Sequence, residues 1–368
     1  MPKPPLRPAR PHFSSGPCAK PPGWSPDKID RRTLGRSHRS GRGKERLKLC
    51  IDLMRENLQL PATHRIGIVP ASDTGAFEMA MWSMLGARPV TALAWESFGE
   101  GWVTDAVKQL KLEPAVIRAG YGELPDLAEV DWSNDVLFTW NGTTSGVRVP
   151  NGDWIADDRE GLSFADATSA VFAYDLPWDR IDVATFSWQK VLGGEGGHGV
   201  LILGPRAVER LESFTPDRPL PKIFRMTRDG KVNEAIFRGE TINTPSMLAV
   251  EDAIWTLQWA QGMGGLEGLI ARTEANAAAL DRIVEEREWL GHLARSAETR
   301  SKTSVCLTVA GADPKKLAAL LEAEGAAYDI AGHRDAPPGL RIWCGATVDT
   351  ADIEALGPWL DWAWEEVR

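Results

Sequence analysis

Short apolar runs, each long enough for one β-strand, recur along the first two hundred residues of the chain. They occupy residues 65–69, 89–95, 115–118, 135–140, 161–166, 182–188 and 200–203. Between some of them, over 75–85 and 101–112, apolar residues return every three or four positions, as they do on one face of a helix. Buried strands that alternate with helices are typical of a mostly parallel sheet with helices on both faces. The sequence therefore predicts an α/β domain.

The pattern changes near residue 245, where the predicted helices become longer. Helical spacing predicts helices over 246–260 and 266–289, and then a strand, a helix, a strand and a helix over 303–309, 314–324, 340–344 and 352–367. A helix is also expected from about residue 45, and the proline-rich first fifteen residues should form an extended arm. We therefore expect a large domain over 16–245, and a smaller α/β domain built from 246–368 together with the arm 1–15.

Composition places the chain among ordinary globular proteins. Of its 368 residues, 43% are hydrophobic and 25% are charged. No apolar run is long enough to span a membrane, and the N-terminal segment lacks the apolar core of a signal peptide. The four cysteines are scattered without the spacing of a disulfide framework or a zinc site, which suits a reducing cytosol. We expect a cytoplasmic protein with no metal site and no membrane contact.

A basic segment interrupts an otherwise acidic chain. The net charge is −9, but residues 31–48 hold eight Lys or Arg against Glu45, so this segment carries +7 and the rest of the chain −16. Three explanations stay open for it: a solvated helix face or flexible arm, a nucleic-acid contact, and a pocket for a phosphorylated small molecule. The interleaved aromatic residues that single-strand binders use are missing from the segment. We therefore expect no nucleic-acid partner.

Two of the strand-like runs end next to residues that can carry chemistry. One run ends in Asp166, and the next, 182–188, leads into Gln189 and Lys190 and then into a glycine-dense loop. The carboxyl ends of parallel strands meet at one edge of a sheet, so Asp166 and Lys190 should lie close together. A lysine that forms a Schiff base and an acid that protonates the pyridine nitrogen are what pyridoxal phosphate needs. Taken singly, a solvated lysine and a capping acid remain open interpretations.

Two glycine-containing loops are candidates for phosphate binding. The segment 70–75 lies between a strand and a helix, where free N–H groups and the helix dipole favour an anion. An ordinary N-cap by Ser72, Asp73 or Thr74 is the competing interpretation. The segment 194–199 matches the glycine spacing of a dinucleotide-binding loop, but it precedes a strand instead of opening a helix. A nicotinamide cofactor is therefore only an alternative.

Taken in order, these segments resemble the phosphoserine aminotransferases, a family in class V of the fold-type I pyridoxal-phosphate enzymes. The resemblance covers nearly the whole chain and rests on residues 13–17, 37–39, 74–77, 102, 141–143, 166, 189–190, 243–245, 333–334 and 341. It implies a seven-stranded, mostly parallel sheet flanked by helices, a smaller C-terminal α/β domain, pyridoxal 5′-phosphate as cofactor, and a homodimer with shared active sites. The loop 71–74 departs from the family, in which it is commonly glycine-rich and carries an arginine.

The resemblance also implies a role for each matching residue. Lys190 would bind the cofactor aldehyde and move the proton during transamination, while Asp166 would pair with the pyridine nitrogen. The other cofactor contacts would be Trp102 on the ring, Thr143 at its phenolic oxygen, and, at the phosphate, Asp73, Thr74, Gln189 and, from the second subunit, Asn243 and Thr244. The substrate contacts would be Arg341 at the α-carboxylate and His38, Arg39, His333 and Arg334 at the substrate phosphate.

The implied reaction transfers the amino group of L-glutamate to 3-phosphohydroxypyruvate in serine biosynthesis. Family members often also accept the phosphorylated hydroxythreonine precursor of pyridoxal phosphate. The alternatives within the class are a serine–glyoxylate or alanine–glyoxylate aminotransferase, which would not need the two His-Arg pairs. A cysteine desulfurase is a weaker alternative, because no cysteine lies in an obvious mobile loop. Outside the class, a nicotinamide-dependent dehydrogenase rests on the glycine spacing alone.

Overall fold

Strands and α-helices alternate along most of the chain in a computed structural model that describes all residues from 1 to 368. The strands are β1 (Arg65–Pro70), β2 (Val90–Ala94), β3 (Ala115–Arg118), β4 (Asp135–Thr139), β5 (Asn141–Gly142), β6 (Val147–Arg148), β7 (Ser163–Asp166), β8 (Val183–Ser187), β9 (His198–Leu203), β10 (Thr227–Arg228), β11 (Lys231–Val232), β12 (Leu290–His292), β13 (Ser304–Val309) and β14 (Leu340–Trp343). The helices are α1 (Gly41–Asn57), α2 (Ser72–Met84), α3 (Ser97–Thr104), α4 (Pro205–Ser213), α5 (Met247–Gly262), α6 (Gly265–Glu285), α7 (Pro314–Ala323) and α8 (Thr350–Val367). Each of the seven apolar runs forms a strand at the predicted place.

Seven strands form the central sheet, in the order β1-β9-β8-β7-β4-β2-β3. The pairs β2–β3, β2–β4, β4–β7 and β7–β8 are parallel, and β9 alone runs antiparallel to its neighbours. Every residue of β2, β4, β7 and β8 is buried, which explains why apolar residues predominate in these runs. The predicted mostly parallel sheet is confirmed. Because β4, β7 and β8 are parallel, their carboxyl ends lie side by side at one edge of the sheet.

The helix expected over 101–112 begins and ends earlier than predicted. Helix α3 covers Ser97–Thr104 and continues as a π-helical turn over Asp105–Gln109. The Glu96 carboxylate accepts a hydrogen bond from Gly99 N at 2.9 Å, and so caps the helix ahead of the predicted start. Glutamate is not among the preferred capping residues, so no sequence signal indicated this start. The patterns also missed α4 and the short strands β5, β6, β10, β11 and β12.

The C-terminal part of the chain builds a second, antiparallel sheet from β12, β13 and β14. The proline-rich arm lies against this part, where Trp359 Nε1 donates to Leu6 O at 2.7 Å and Tyr328 N donates to Pro11 O at 2.8 Å. These contacts agree with grouping the arm with 246–368, and the domain boundaries themselves stay a prediction. None of the helices has the length and apolar character required to cross a membrane.

Most cations of the basic segment 31–48 are paired within the chain. Their carboxylate partners are Asp27 for Arg31, Asp30 for Arg32 and Arg42, Glu240 for Lys44, Glu251 for Arg46, and Asp52 for Lys48. The Arg46–Glu251 pair is the most enclosed, with side chains 15% and 0% exposed. Arg36 and Arg39 are the two cations of the segment with no carboxylate partner. Most of the positive charge of the segment is therefore neutralised within the chain, and Arg39 stays available for an anion.

A buried ion pair fixes the strands that carry the site. Asp135 opens β4, is fully buried, and accepts hydrogen bonds from Arg210 Nη1 at 2.7 Å and Nη2 at 3.1 Å. The same carboxylate accepts a hydrogen bond from Leu162 N at 2.9 Å, immediately before β7. Asp135 thus connects β4, β7 and α4, and holds the register that brings the strand ends together.

We expect Asp135→Ala to lower the free energy of unfolding by roughly 3–5 kcal/mol, because the variant leaves the Arg210 guanidinium buried without a carboxylate, with only Met84 O as an acceptor. Urea unfolding of the cofactor-free protein, followed by far-ultraviolet circular dichroism, measures this change. The matched control is Lys231→Ala, which removes an ion pair whose lysine is 76% exposed and should cost about 1 kcal/mol or less. Equal losses in the two variants would contradict the prediction.

Candidate active site

Three side chains from adjacent strands line up at the open edge of the central sheet. Thr139 of β4, Asp166 of β7 and Thr185 of β8 are register partners, and so they lie on the same face of the sheet. A cavity of about 140 Å³ lies at this edge. Its lining residues are Ser72, Asp73, Thr74, Phe98, Trp102, Thr139, Thr143, Asp166, Thr168, Gln189 and Lys190. The structure therefore brings together most of the residues that the sequence predicts as cofactor contacts.

Lys190 follows β8, and its amine is buried against the N-terminal segment. Nζ donates a hydrogen bond to Ser15 O, and Gly16 gives it room, since a Cβ atom at that position would overlap with Nζ. Burial lowers the pKa of the Lys190 ammonium, and the positive charge of Arg341 acts in the same direction. A lowered pKa increases the fraction of free amine, which is the form that attacks an aldehyde.

Asp166 ends β7, and both of its carboxylate oxygens are held in place. Oδ2 accepts a hydrogen bond from Trp102 Nε1 at 3.1 Å, and Oδ1 accepts one from Thr168 N at 3.1 Å. Trp102 in turn packs against Phe77, with ring centroids 4.5 Å apart. The carboxylate is thus fixed at the wall of the cavity, where it can pair with a protonated ring nitrogen.

Helix α2 begins at the same cavity without a side-chain cap. Its N-cap residue is Ala71, so the interpretation of Ser72, Asp73 or Thr74 as an ordinary N-cap is wrong. Ala71 and Ser72 have φ angles of 67° and 54°. Residues other than glycine adopt this left-handed conformation at a cost of about 1–2 kcal/mol each. Ser72 N donates to Gly197 O at 3.4 Å, whereas the N–H groups of Asp73 and Thr74 have no backbone acceptor and, with the helix dipole, suit a phosphate.

Asp73 directs its carboxyl group at the sheet. Its neighbours there are Asp166, Thr168 and Thr185, and burial together with the charge of Asp166 raises the pKa of Asp73 well above its usual range. The Oδ1 atom of Asp73 is buried and has no hydrogen-bond partner. The carboxyl group of Asp73 is thus directed towards the sheet and does not cap its own helix.

Buried polar atoms without partners surround the cavity. They are Thr139 Oγ1, Thr168 Oγ1, Thr185 Oγ1, Ser187 Oγ and Gln189 Oε1. Because buried polar groups in native proteins are nearly always hydrogen-bonded, this concentration indicates a site built for a polar ligand. Pyridoxal phosphate fits the set of groups: Lys190 would hold its aldehyde, Asp166 its ring nitrogen and the first turn of α2 its phosphate.

Thr143 belongs to a hydrogen-bond network that sequence reasoning missed. Thr143 Oγ1 donates to Ser169 Oγ at 2.8 Å, and that hydroxyl donates to Asn141 O at 2.9 Å. Nearby, Thr144 Oγ1 donates to the buried Glu96 carboxylate at 2.6 Å, and burial raises the pKa of Glu96. Ser169 and Glu96 reach the site through contacts distant in sequence, so no local pattern could have indicated them.

Arg341 and His333 approach the cavity from the C-terminal part of the chain. Arg341 lies on β14, close enough to Lys190 to affect its pKa, and its buried Nε has no partner. His333 lies 6.2 Å from the Phe98 ring, between centroids, and its pKa is lowered by burial and by the charge of Arg341. The Arg334 side chain, in contrast, is 88% exposed. The structure therefore places two of the three predicted substrate contacts from this region next to the cavity.

The remaining predicted contacts lie elsewhere on the chain. His38 and Arg39 line a separate cavity of about 470 Å³, which shares no residue with the cavity of Lys190. Asn243 and Thr244 are exposed and line neither cavity. Within one copy of the chain, the Lys190 site therefore lacks these four residues.

The glycine-dense loop after Lys190 serves the packing of the sheet. It leads into β9 and opens no helix, so the nicotinamide alternative loses the context that a dinucleotide-binding loop requires. A Cβ atom at Gly199 would overlap with Ser72 O, at the first turn of α2. Glycine at this position lets β9 approach the turn that we assign to the cofactor phosphate.

Comparison with known proteins identifies the family. The family Aminotransferase class-V matches residues 127–348. Phosphoserine aminotransferases from Methanosarcina barkeri and Methanosarcina mazei are each 58% identical over 369 residues, which covers 100% of both chains. A solved phosphoserine aminotransferase from Cytophaga hutchinsonii has a TM-score of 0.84 at 21% identity, covering 96% of this chain and 99% of that one. The chain therefore belongs to the class-V aminotransferases and, within them, to the phosphoserine aminotransferase family.

Proposed function

We propose that the chain transfers the amino group of L-glutamate to 3-phosphohydroxypyruvate, giving 2-oxoglutarate and O-phospho-L-serine in serine biosynthesis. The observation that carries this proposal is the 58% identity to phosphoserine aminotransferases over the full length. The cavity agrees with it, because a buried lysine and a fixed carboxylate lie at one sheet edge. The serine–glyoxylate and alanine–glyoxylate alternatives use substrates without a phosphate, so they provide no phosphate for the unpaired Arg39 to bind.

The experiment is a comparison of substrate pairs on the purified protein loaded with pyridoxal phosphate. Such a sample should be yellow, and it should form 2-oxoglutarate from glutamate when 3-phosphohydroxypyruvate is the acceptor. Glyoxylate with serine or alanine as donor provides the competing pair. A higher kcat/KM for the glyoxylate pair would overturn the assignment.

Each residue around the cavity has a separate role in the proposed reaction. When bound, pyridoxal phosphate supplies the electron sink that lets an amino group pass between two acids. The Lys190 amine would hold the cofactor aldehyde and, once released from it, would move the substrate proton; Asp166 would keep the ring nitrogen protonated, and Trp102 would lie against the ring. The Arg341 guanidinium binds the α-carboxylate, for which its planar fork of donors is suited.

A homodimer with shared active sites is part of this proposal. His38 and Arg39 line a different cavity from Lys190, and Asn243 and Thr244 are exposed on the surface. A second copy related by twofold symmetry can bring all four residues to the Lys190 site of the first copy. His333 would then meet the substrate phosphate from one subunit, and Arg39 would meet it from the other.

Subunit mixing tests this arrangement. If Arg39 serves the site of the other subunit, a hybrid of one Lys190→Ala subunit and one Arg39→Leu subunit contains one site with both changes and one site with neither. If Arg39 acts across the interface, a refolded equal mixture should recover about a quarter of the wild-type sites. If Arg39 acts on the site of its own subunit, the mixture should show no more than the average activity of the separate variants. Light scattering after size exclusion verifies the dimer itself.

Arg39→Leu should raise the KM for 3-phosphohydroxypyruvate roughly tenfold or more, because a charge-assisted hydrogen bond to the phosphate is lost. The KM for glutamate, which carries no phosphate, should change less than about twofold. Steady-state kinetics with each substrate varied in turn measures both constants. Arg36→Leu, which removes the other unpaired cation of the basic segment, is the control. Equal effects of Arg39→Leu on the two substrates would favour a glyoxylate aminotransferase.

The proposed site also suits a second phosphorylated substrate. The phosphorylated hydroxythreonine precursor of pyridoxal phosphate offers the same α-carboxylate and phosphate groups, so we include it as a second substrate, in pyridoxine biosynthesis. An assay of the purified enzyme with that substrate tests the point.

We also infer a cytoplasmic location, because all four cysteines are buried and unpaired, as in proteins of reducing compartments.

A further inference from the structure

The cavity that contains His38 and Arg39 is strongly cationic. Its basic lining residues are His38, Arg39, Lys44, Lys222, Arg225 and Arg228. Glu240 is the one acid in the lining. The last three cations come from the segment before and within β10, which lies far in sequence from the basic segment 31–48. The fold therefore brings three further cations close to His38 and Arg39, the two residues predicted from the sequence.

Three of the five Lys and Arg residues in this lining have no carboxylate partner. Lys44 and Arg228 pair with acids at 3.8 and 3.7 Å. Arg39, Lys222 and Arg225 form no ion pair within the chain. Unpaired cations around one concave surface repel one another, and a bound anion relieves this repulsion. A phosphate monoester, with a charge near −2 at neutral pH, matches such a cluster better than a carboxylate does.

Arg225 is fixed at the cavity by its neighbours in the chain. Phe224 and Met226 on either side of it are 7% and 1% exposed, so both side chains anchor the segment. Ser83 Oγ donates to Phe224 O at 2.9 Å, and Arg225 Nε donates to Leu220 O at 3.0 Å. The guanidinium is therefore held at the cavity wall, and its terminal nitrogens remain available to a ligand.

We propose that Arg225, assisted by Lys222, binds the phosphate of the substrate together with His38 and Arg39, and does so in the active site of the second subunit. This inference rests on the proposed function, from which it takes the phosphorylated substrate and the shared site. Thr241 lines the same cavity, two positions before Asn243 in the segment assigned to the partner's cofactor. The cationic surface is thus continuous with the surface expected to face the other subunit.

Arg225→Ala should raise the KM for O-phospho-L-serine roughly tenfold, because one charge-assisted contact to the phosphate is removed. The values of kcat and of the KM for glutamate should change less than about twofold. Inorganic phosphate, tested as a competitive inhibitor against O-phospho-L-serine, should lose potency by a similar factor. Lys222→Ala should show a smaller change in the same direction. Arg36→Ala, outside the cavity, should leave all of these constants unchanged.

Subunit mixing assigns Arg225 to one site or the other. An equal mixture of Arg225→Ala and Lys190→Ala subunits, assayed well below KM, should recover activity as the Arg39→Leu mixture does. Failure of this mixture to recover, where the Arg39→Leu mixture succeeds, would overturn the assignment of Arg225 across the interface.

The outcomes separate this inference from the proposed function. A wild-type KM and wild-type inhibition by phosphate in Arg225→Ala would overturn the inference and leave the proposed reaction standing. A wild-type protein without activity on O-phospho-L-serine would overturn both. Arg225→Gln, which keeps much of the side-chain length without the charge, repeats the measurement if the alanine variant has a lower thermal stability.

Discussion

Lys190→Ala is expected to lower transamination by roughly a thousandfold or more, because the variant loses both the attachment point of the cofactor and the group that moves the substrate proton. The Lys190 amine is the one amine that lines the cavity, and it lies together with Asp166 there. No other residue in the lining can replace it. The protein should remain folded, since a buried ammonium group does not favour the folded state and its removal leaves only Ser15 O without a donor.

Three measurements test the loss of Lys190. Turnover of glutamate with 3-phosphohydroxypyruvate gives the rate, and borohydride reduction followed by peptide mass analysis shows whether the cofactor becomes covalently fixed at this lysine. Lys190→Arg is the control, because it keeps the positive charge and much of the length but cannot bind an aldehyde covalently. A Lys190→Ala enzyme that is colourless and still transaminates at the wild-type rate would disprove the assignment.

Asp166→Asn should lower kcat by about a hundredfold to a thousandfold, because asparagine cannot supply the negative charge that keeps the ring nitrogen protonated. The asparagine would retain an acceptor for Thr168 N, but its amide can also place a donor against Trp102 Nε1, which is 3.1 Å from the carboxylate in the wild type. The absorbance change when the loaded enzyme is mixed with glutamate gives the rate of the first half-reaction directly.

Trp102→Phe separates the charge of Asp166 from the geometry around it. This variant removes the hydrogen bond to Asp166 Oδ2 and keeps an aromatic surface against Phe77. We expect a kcat loss of about tenfold, well below that of Asp166→Asn. Losses of equal size would mean that the hydrogen bond, and not the charge, explains the Asp166 effect.

Apolar patterning was sufficient to predict the elements that carry the site. Strands β7 and β8 are buried throughout, so their runs contain only apolar and small polar residues before Asp166 and Gln189. Parallel pairing then brings the strand ends together without any further information. The α/β class and the closeness of Asp166 and Lys190 follow from these two properties.

Contacts that are distant in sequence could not be predicted in the same way. Ser15 reaches the Lys190 amine across 175 positions, and Glu96 caps α3 although glutamate rarely has this function. The Asp73 carboxyl group faces Asp166 on β7 and Thr185 on β8, and α2 packs against β8. No local rule distinguishes that orientation from an N-cap. The assignment of single residues to cofactor or substrate atoms stays a prediction.

The turn at Ala71 and Ser72 has a consequence for the protein when no cofactor is bound. Two successive residues that disfavour a left-handed backbone are held in it by the close approach of β9, where Gly199 meets Ser72 O. Glycine at these two positions would remove the backbone strain, but it would also let the turn adopt many backbone conformations in the cofactor-free protein. Alanine and serine leave few alternatives, so the anion cradle is prepared before its anion arrives. The two left-handed residues lower the stability of the fold, and the cofactor site that they form needs little reordering when pyridoxal phosphate binds again.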